Sequence, residues 1–481
     1  MKKTLLLSVI LFFGLTVFAQ DNERFYATMA LQDARELQND HPGEIQILAE
    51  RGNEAAVYMT EWAALTLQEW RELHGPGFML KTNAEDAIDG LNHVPSRDHS
   101  RIAFTITEDV AVLEAINLIS VQNIEDHIIE LENYGTRYHT FSSATQAATE
   151  LKAKWEDMAT LYGRTDVSVQ LYNHSNTQMP SVIMTIEGTE FPDEFVIVGG
   201  HLDSASFQGN NNAPGADDNA SGIATITEAT RALFESGFVP KRTIEIMAYA
   251  AEEIGLVGSQ EIAEDYGSNN VNVTAYVNFD MTNYHGSGND VYFITDYTDS
   301  SLNTFLMDLM NHYNSSGNHA FTYGTSVCNY GCSDHASWNS EGYMAAFPFE
   351  AGFGQHNPNI HTANDTFSFI GTAEHAAKFS KLCAEFLIET AKGESQLGGL
   401  EVASDMYEIY VSNNTLYYEF NDYEAEISSV IVYDLVGNSV MTLQDPSNEG
   451  SIDMNHLTAG MYIANFTTAY SEVVNKKVII R

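Results

Sequence analysis

Residues able to hold metal ions fall in this chain where short apolar runs stop. His201-Leu202-Asp203 ends FVIVGG, Glu252 and Glu253 follow TIEIMAYAA, and YVNF runs into Asp280. Asp217 stands in GADDNASG, where Gly215 and Gly222 let the backbone turn and approach closely. His361 stands in the loop-like NIHTANDT. Two histidines and three carboxylates meet the needs of two zinc ions if one carboxylate, Asp217, bridges them and each metal keeps an open position. One member of the Glu252 and Glu253 pair is then left over as a general base for water. Asp203 can hydrogen-bond the second nitrogen of the His201 imidazole and fix its tautomer. Each residue alone would pass for a satisfied loop or surface group; their recurrence at successive strand ends gives the pattern its weight.

The charge pattern points the same way. The 481 residues carry 22 basic and 66 acidic side chains, a formal charge of −44, which argues against a nucleic-acid or anionic-membrane partner. No lysine or arginine occurs from Thr243 to Ala377, the stretch that holds Glu252, Glu253, Asp280 and His361. The site is therefore expected to have a negative field with no internal cation, offset by bound metal. Such a field suits a protonated α-amine and offers no arginine clamp for a carboxylate or phosphate. Arg231 and Lys241 are the cations that folding could still bring in.

The elements that must position these residues alternate. From about Ala103, helical segments such as ATQAATELKAKWEDMATLYG and SGIATITEATRALFESG alternate with apolar runs SVIMTIEG, EFVIVGG, TIEIMAYA, TAYVNFDM and DVYFIT. Uninterrupted apolar strands between helices predict an α/β fold, a mixed, largely parallel sheet covered on both faces, and sites on such sheets form at the carboxyl ends of strands. The loop GESQLGG, Gly393 to Gly399, closes this domain. Beyond it, segments rich in Tyr, Val, Ile and Thr predict a small all-β sandwich.

The start of the chain, MKKTLLLSVILFFGLTVFAQ, has two lysines, an apolar run from Leu5 to Phe18 and a small residue at Ala19. That is the layout of a cleaved signal peptide, and the run is shorter than the roughly 20 residues of a membrane span. Export makes a short disulfide between Cys328 and Cys332 plausible, while Cys383 reads as a buried thiol. Residues 20–102 carry helical patterns such as YMTEWAALTLQEWREL and no cluster of ligands or nucleophiles, so they read as an appendage.

In order, HLDS, GADDNASG, AYAAEEIGLVGSQ, NFDM, CNYGCSDHASW and IHTANDT resemble the bacterial leucyl aminopeptidases, a family of co-catalytic di-zinc exopeptidases, over Gln122 to Thr390. The resemblance implies one zinc at His201 and Asp280, the other at Glu253 and His361, Asp217 bridging and Glu252 as base. It implies a disulfide between Cys328 and Cys332 presenting Tyr330, whose hydroxyl helps hold the oxyanion. It places Met281, Ile294, Phe347, Phe349, Phe353 and Ile360 around the substrate side chain, making peptides with a free, large apolar N-terminal residue the expected substrates. The serine of GCSDHASW is not read as a nucleophile.

The implied organisation is a signal peptide at 1–19, a pro-region at 20–102, a zinc peptidase domain at 103–395 and a C-terminal domain at 400–481. The last, with YDLVGN, HLTAGMYIANF and KKVIIR, is similar to the sorting domains that pass Bacteroidetes proteins to the type IX secretion machinery. A secreted or cell-surface location and no membrane span in the mature chain follow. The rival readings are a single-zinc transferase of the glutaminyl cyclase type and a non-catalytic binding domain on the same fold.

Overall fold

The structure, a computed structural model, describes residues 23–71, 74–91 and 104–392, and beyond them 394–395, 407–412, 414–420, 427–434, 438–444, 446–458, 460–468 and 473–480. The signal-peptide reading of residues 1–19 lies outside the described residues. Among those described, no helix is long and apolar enough to cross a membrane.

Six strands make the central sheet: β1 (Val167–Tyr172), β2 (Ser181–Ile186), β3 (Phe191–His201), β4 (Arg242–Tyr249), β5 (Asn272–Asn278) and β6 (Ala345–Ala346). Their order is β6-β5-β3-β4-β2-β1. The first four are parallel, and β2 and β1 add antiparallel at one edge. The continuous apolar runs follow from burial on both faces, because alternate side chains enter different cores. Val196, Val198, Ile244, Ile246 and Ala248 join Trp155, Ile223, Ile226 and Phe379 of the helices Ser142–Leu161, Gly222–Glu235 and Ala376–Ala391. Ile197, Met247, Tyr249 and Tyr276 face the other way, onto Ile262 and Trp338 of helices Val257–Ser268 and His335–Ser340. Cys383 is fully buried within the helix Ala376–Ala391.

The run DVYFIT forms a strand, Val291–Ile294, outside the central sheet. It pairs with Tyr323–Ser326 and Pro348–Phe349 in a three-stranded sheet of its own.

Residues 23–91 differ from the helical appendage expected. They form an antiparallel four-stranded sheet, in the order Ile45–Arg51, Glu54–Thr60, Arg24–Ala30, Phe78–Lys81, with helices Leu31–Asp40, Glu61–Arg71 and Ala84–Gly90. The segment YMTEWAALTLQEWREL is partly strand, since Tyr58, Met59 and Thr60 complete a ladder before the helix begins. Pairing with Arg24–Ala30 overrides the helical periodicity there. In the C-terminal part, two antiparallel sheets of three and four strands bury Leu416, Val430, Val432, Ile452, Phe466 and Val478 in one core, a small β-sandwich.

Candidate active site

Adjacent parallel strands deliver the polar residues. His201 is the last residue of β3, Asp280 lies two residues past β5, and Glu252 and Glu253 form a tight turn after β4. That turn needs Ala251 in the left-handed region, at φ 57°. Asp203 holds it: its carboxylate accepts the backbone N–H of Glu252 at 3.0 Å and of Glu253 at 3.3 Å. Asp203 also faces the second nitrogen of the His201 imidazole. Nδ1 of His201 lies 3.1 Å from the backbone carbonyl of Asp203 and 3.6 Å from its carboxylate, which also accepts the two glutamate amides.

The carboxylate between the two histidines is Asp218, a correction to the expectation for Asp217. Asp218 Oδ1 lies 3.0 Å from His201 Nε2, and Oδ2 lies 3.1 Å from His361 Nε2. Asp217 is turned away, accepting the Asn283 N–H at 3.1 Å and the Asn357 amide at 3.0 Å. Consecutive side chains in this turn diverge, and Asp218 departs from helical geometry at φ −107° and ψ 90°. Gly215 opens the turn in the left-handed region, at φ 55°. Gly222 allows its far end to pack, since a Cβ there would fall 2.2 Å from the Phe279 carbonyl oxygen.

Around Asp218 the donor atoms converge. His201 Nε2 is 3.3 Å from Asp280 Oδ1, and His361 Nε2 is 3.0 Å from Glu253 Oε2. Such separations match the edge of a tetrahedron with bonds of about 2.0 Å, the coordination preferred by zinc. His201, Asp218, Glu252, Glu253, Asp280 and His361 are each 5% exposed or less. Both oxygens of Glu252 and Oε1 of Glu253 have no hydrogen-bond partner, and Asp218 Oδ2 meets only His361 Nε2. Buried polar atoms are ordinarily satisfied, so these fit a group that supplies positive charge. Burial opposes protonation of His201, yet Asp280 and Glu252 outweigh it and hold its pKa well above the ordinary range.

The expectation of no internal cation is corrected by Arg137, which comes from outside the lysine- and arginine-free stretch. Fully buried, it donates to the carbonyls of Leu131, Leu202, Pro214 and Gly215 at 2.7–3.0 Å. Burial lowers its pKa to about 10 against the pull of Asp365, Asp203, Asp218 and Glu253. It thus braces the backbone before Asp203 and Asp218 from behind. Arg231 pairs with Glu228 and Glu235, and Lys241 with Glu190.

The family model described as peptidase family M28 matches residues 181–387, and the one described as the secretion system C-terminal sorting domain matches residues 411–481. A probable leucine aminopeptidase of Arthroderma benhamiae is 35% identical over 296 residues, 60% of this chain and 78% of the relative. The chain belongs to peptidase family M28. The LapA aminopeptidase of Legionella pneumophila has a similar solved structure, with 31% identity and a TM-score of 0.66, covering 77% of this chain and 99% of that one. LapB of the same organism has 26% identity and a TM-score of 0.67, covering 77% and 100%. The protein is a metallo-aminopeptidase.

Sequence reasoning missed three further residues of this M28 site. Ser333 Oγ donates to Asp280 Oδ2 at 2.6 Å and accepts from Asn278 Nδ2 at 2.8 Å, while Asn278 Oδ1 accepts from Tyr276 Oη at 2.8 Å. Ser333 thus orients a carboxylate. Asn278, directly before FD in NFDM, was legible as a neighbour of Asp280. The third, His74, comes from the N-terminal unit and carried no local signal. Its Nε2 lies 3.1 Å from Asp280 Oδ2, and it forms a candidate donor cluster with Asp218 and Asp280.

The disulfide Cys328–Cys332 is present, with Cα atoms 6.2 Å apart, and Tyr330 within it is buried. Met281, Ile294, Phe347, Phe349 and Ile360 gather into one apolar cluster, with Phe353 against it. The same cluster includes Val57, Met59, Leu67 and Phe78 of the N-terminal unit. The adjoining open cavity, about 1020 Å³, is walled by Leu31, Asp33 and Arg35 on one side and Cys328, Tyr330 and Phe353 on the other.

Proposed function

We propose that this M28 aminopeptidase is an exported enzyme holding two zinc ions that releases large apolar N-terminal residues from peptides. The split of one carboxylate, Asp218 Oδ1 to His201 and Oδ2 to His361, carries the two-metal reading. In it, His201 and Asp280 would hold one ion and Glu253 and His361 the other, with Asp218 shared between them. Bound there, the pair supplies Lewis acidity to the scissile carbonyl and to water. Glu252, buried beside the ligands with a carboxylate free of hydrogen bonds, takes the proton of the attacking water and returns it to the leaving amine. Tyr330 donates its hydroxyl to the carbonyl oxygen as charge develops there. The negative field receives the substrate's α-ammonium group, and the apolar cluster from Met281 to Ile360 takes its side chain.

The match to a sorting domain at 411–481 supports export, with the secretion machinery as partner and the cell surface or medium as destination.

The test is metal analysis coupled to hydrolysis of leucyl anilide by the full chain before chelation, after chelation and during zinc readdition. Activity that returns with the second equivalent of zinc fits the proposal. Full recovery with a single equivalent would overturn it.

A further inference from the structure

One carboxylate outside the metal site grips two consecutive backbone amides. Asp296 Oδ1 accepts the Cys328 N–H at 2.9 Å, and Oδ2 accepts the Asn329 N–H at 2.5 Å. These amides open the short ring closed by the Cys328–Cys332 disulfide, with Tyr330 at its centre. A ring of this size has no ladder or helix of its own, so its donors must find partners elsewhere in the chain. Asn329 stands at φ 73°, in the left-handed region, a conformation that costs a non-glycine residue and persists where its surroundings impose it. A carboxylate bonded to this amide and its neighbour imposes it, through charge-assisted bonds.

Asp296 is itself rooted in the catalytic unit. It lies two residues past the strand Val291–Ile294, whose Ile294 belongs to the apolar cluster beside the site. Between strand and carboxylate, the Thr295 N–H donates to the Ser326 carbonyl at 3.0 Å and the Thr295 hydroxyl to the same oxygen at 3.2 Å. Those bonds fasten Asp296 to the end of the strand Tyr323–Ser326, from which the ring departs. Tyr330 is buried, its ring edge-on to Phe353 at 6.0 Å, and its hydroxyl donates to a carbonyl, that of His74, at 2.5 Å. Burial, then the charges of Glu252, Asp33 and Asp296, hold this hydroxyl well above the usual tyrosine range, so it keeps its proton and acts as a donor. The disulfide closes the ring on itself, whereas the bonds to Asp296 tie the ring to the sheet.

We propose, resting on the reading of Tyr330 as the oxyanion donor, that Asp296 is a positioning residue for the reaction. By holding the Cys328 and Asn329 amides it sets where the Tyr330 hydroxyl meets the substrate's carbonyl oxygen. It does for the oxyanion donor what Asp203 does for the base, since each carboxylate takes two successive amides of the turn it aims. The strand that carries Ile294 to the pocket thus also anchors the group that meets the developing charge.

The test is a double-mutant cycle on the full, zinc-loaded chain with leucyl anilide: wild type, Tyr330→Phe, Asp296→Ala and the two combined. Tyr330→Phe should lower kcat by about 100-fold, the scale of one lost oxyanion donor. Asp296→Ala should lower kcat by about tenfold or more, with KM within about twofold and zinc content unchanged, and Asp296→Asn, which keeps one acceptor oxygen, should lose less. Added to Tyr330→Phe, Asp296→Ala should cost no more than about a further twofold, because the hydroxyl it positions is already gone. If Asp296→Ala does not fold, the same cycle run with Asp296→Asn carries the test. A parent-like kcat in the Asp296 variant used for the cycle, or losses that multiply in the double variant, would overturn the proposal and leave Tyr330 in its role. Parent-like turnover by Tyr330→Phe would remove the oxyanion donor and the proposal together.

Discussion

Asp203 and Glu252, 49 positions apart in the chain, are joined by the carboxylate of the first accepting the backbone N–H of the second at 3.0 Å. The same carboxylate takes the N–H of Glu253, so one side chain aims both glutamates. Asp203→Ala leaves two buried donors unpaired, at about 1–3 kcal/mol each. We expect zinc affinity and kcat each to fall roughly 10- to 100-fold, with a smaller loss for Asp203→Asn, which keeps one acceptor. Zinc titration and kinetics check this; unchanged values in Asp203→Ala would remove the positioning role.

Asp218→Asn and Asp217→Asn separate the two candidates for the bridge. Asp218 faces both histidines, so its substitution should leave less than one metal per chain after dialysis. Asp217→Asn should retain the metals, since its oxygens are engaged by Asn283 and Asn357. Metal analysis of the dialysed proteins decides, and loss from Asp217→Asn alone would reverse the assignment.

Replacing Glu252 by Gln preserves shape and removes the proton acceptor. Metal content should stay at the parent level while kcat drops by about 10²- to 10⁴-fold. Turnover close to that of the parent would show that another group takes the proton.

Side-chain preference follows from the pocket. Phe347 and Phe349 are fully buried, with ring centres 5.3 Å apart, beside Met281 and Ile294. A glutamyl side chain there is desolvated and unpaired, costing several kcal/mol, so kcat/KM for glutamyl anilide should be at least about 100-fold below leucyl. Leucyl over alanyl should also be on the order of a hundredfold, at roughly 1 kcal/mol per carbon. Equal cleavage of the glutamyl substrate would overturn the pocket and leave the metal site untouched.

Stability should depend on pH through Glu245 of β4. Burial pushes its pKa up to about 7, although Tyr266 Oη at 2.7 Å and Thr185 Oγ1 at 3.1 Å donate to it. The folded chain then keeps a proton that the unfolded chain releases above about pH 4.5, so stability is lost as pH rises from about 4.5 to 7. Glu245→Gln removes that penalty and should stabilise by roughly 1–3 kcal/mol at pH 8 and by little at pH 4. Urea melts at the two pH values give the comparison, and an equal effect at both would refute the link.

The α/β sheet and the stations of the site were legible in the sequence because both are local. A strand buried on two faces must be continuously apolar, so His201, Glu252 and Asp280 mark strand ends by interrupting such runs. The choice between Asp217 and Asp218 was not legible: neighbouring side chains of the same type differ only in direction, and direction is set by backbone angles that Arg137, Asp365 and Phe279 impose from distant parts of the chain. The tertiary structure alone decided that a buried cation backs the site, since Arg137 lies outside the stretch whose charge was counted. It also decided the place of His74. A lone histidine between a helix and a strand carries no pattern, and it meets Asp280, 206 positions later, only because the N-terminal sheet docks beside Gly255 and Gln260.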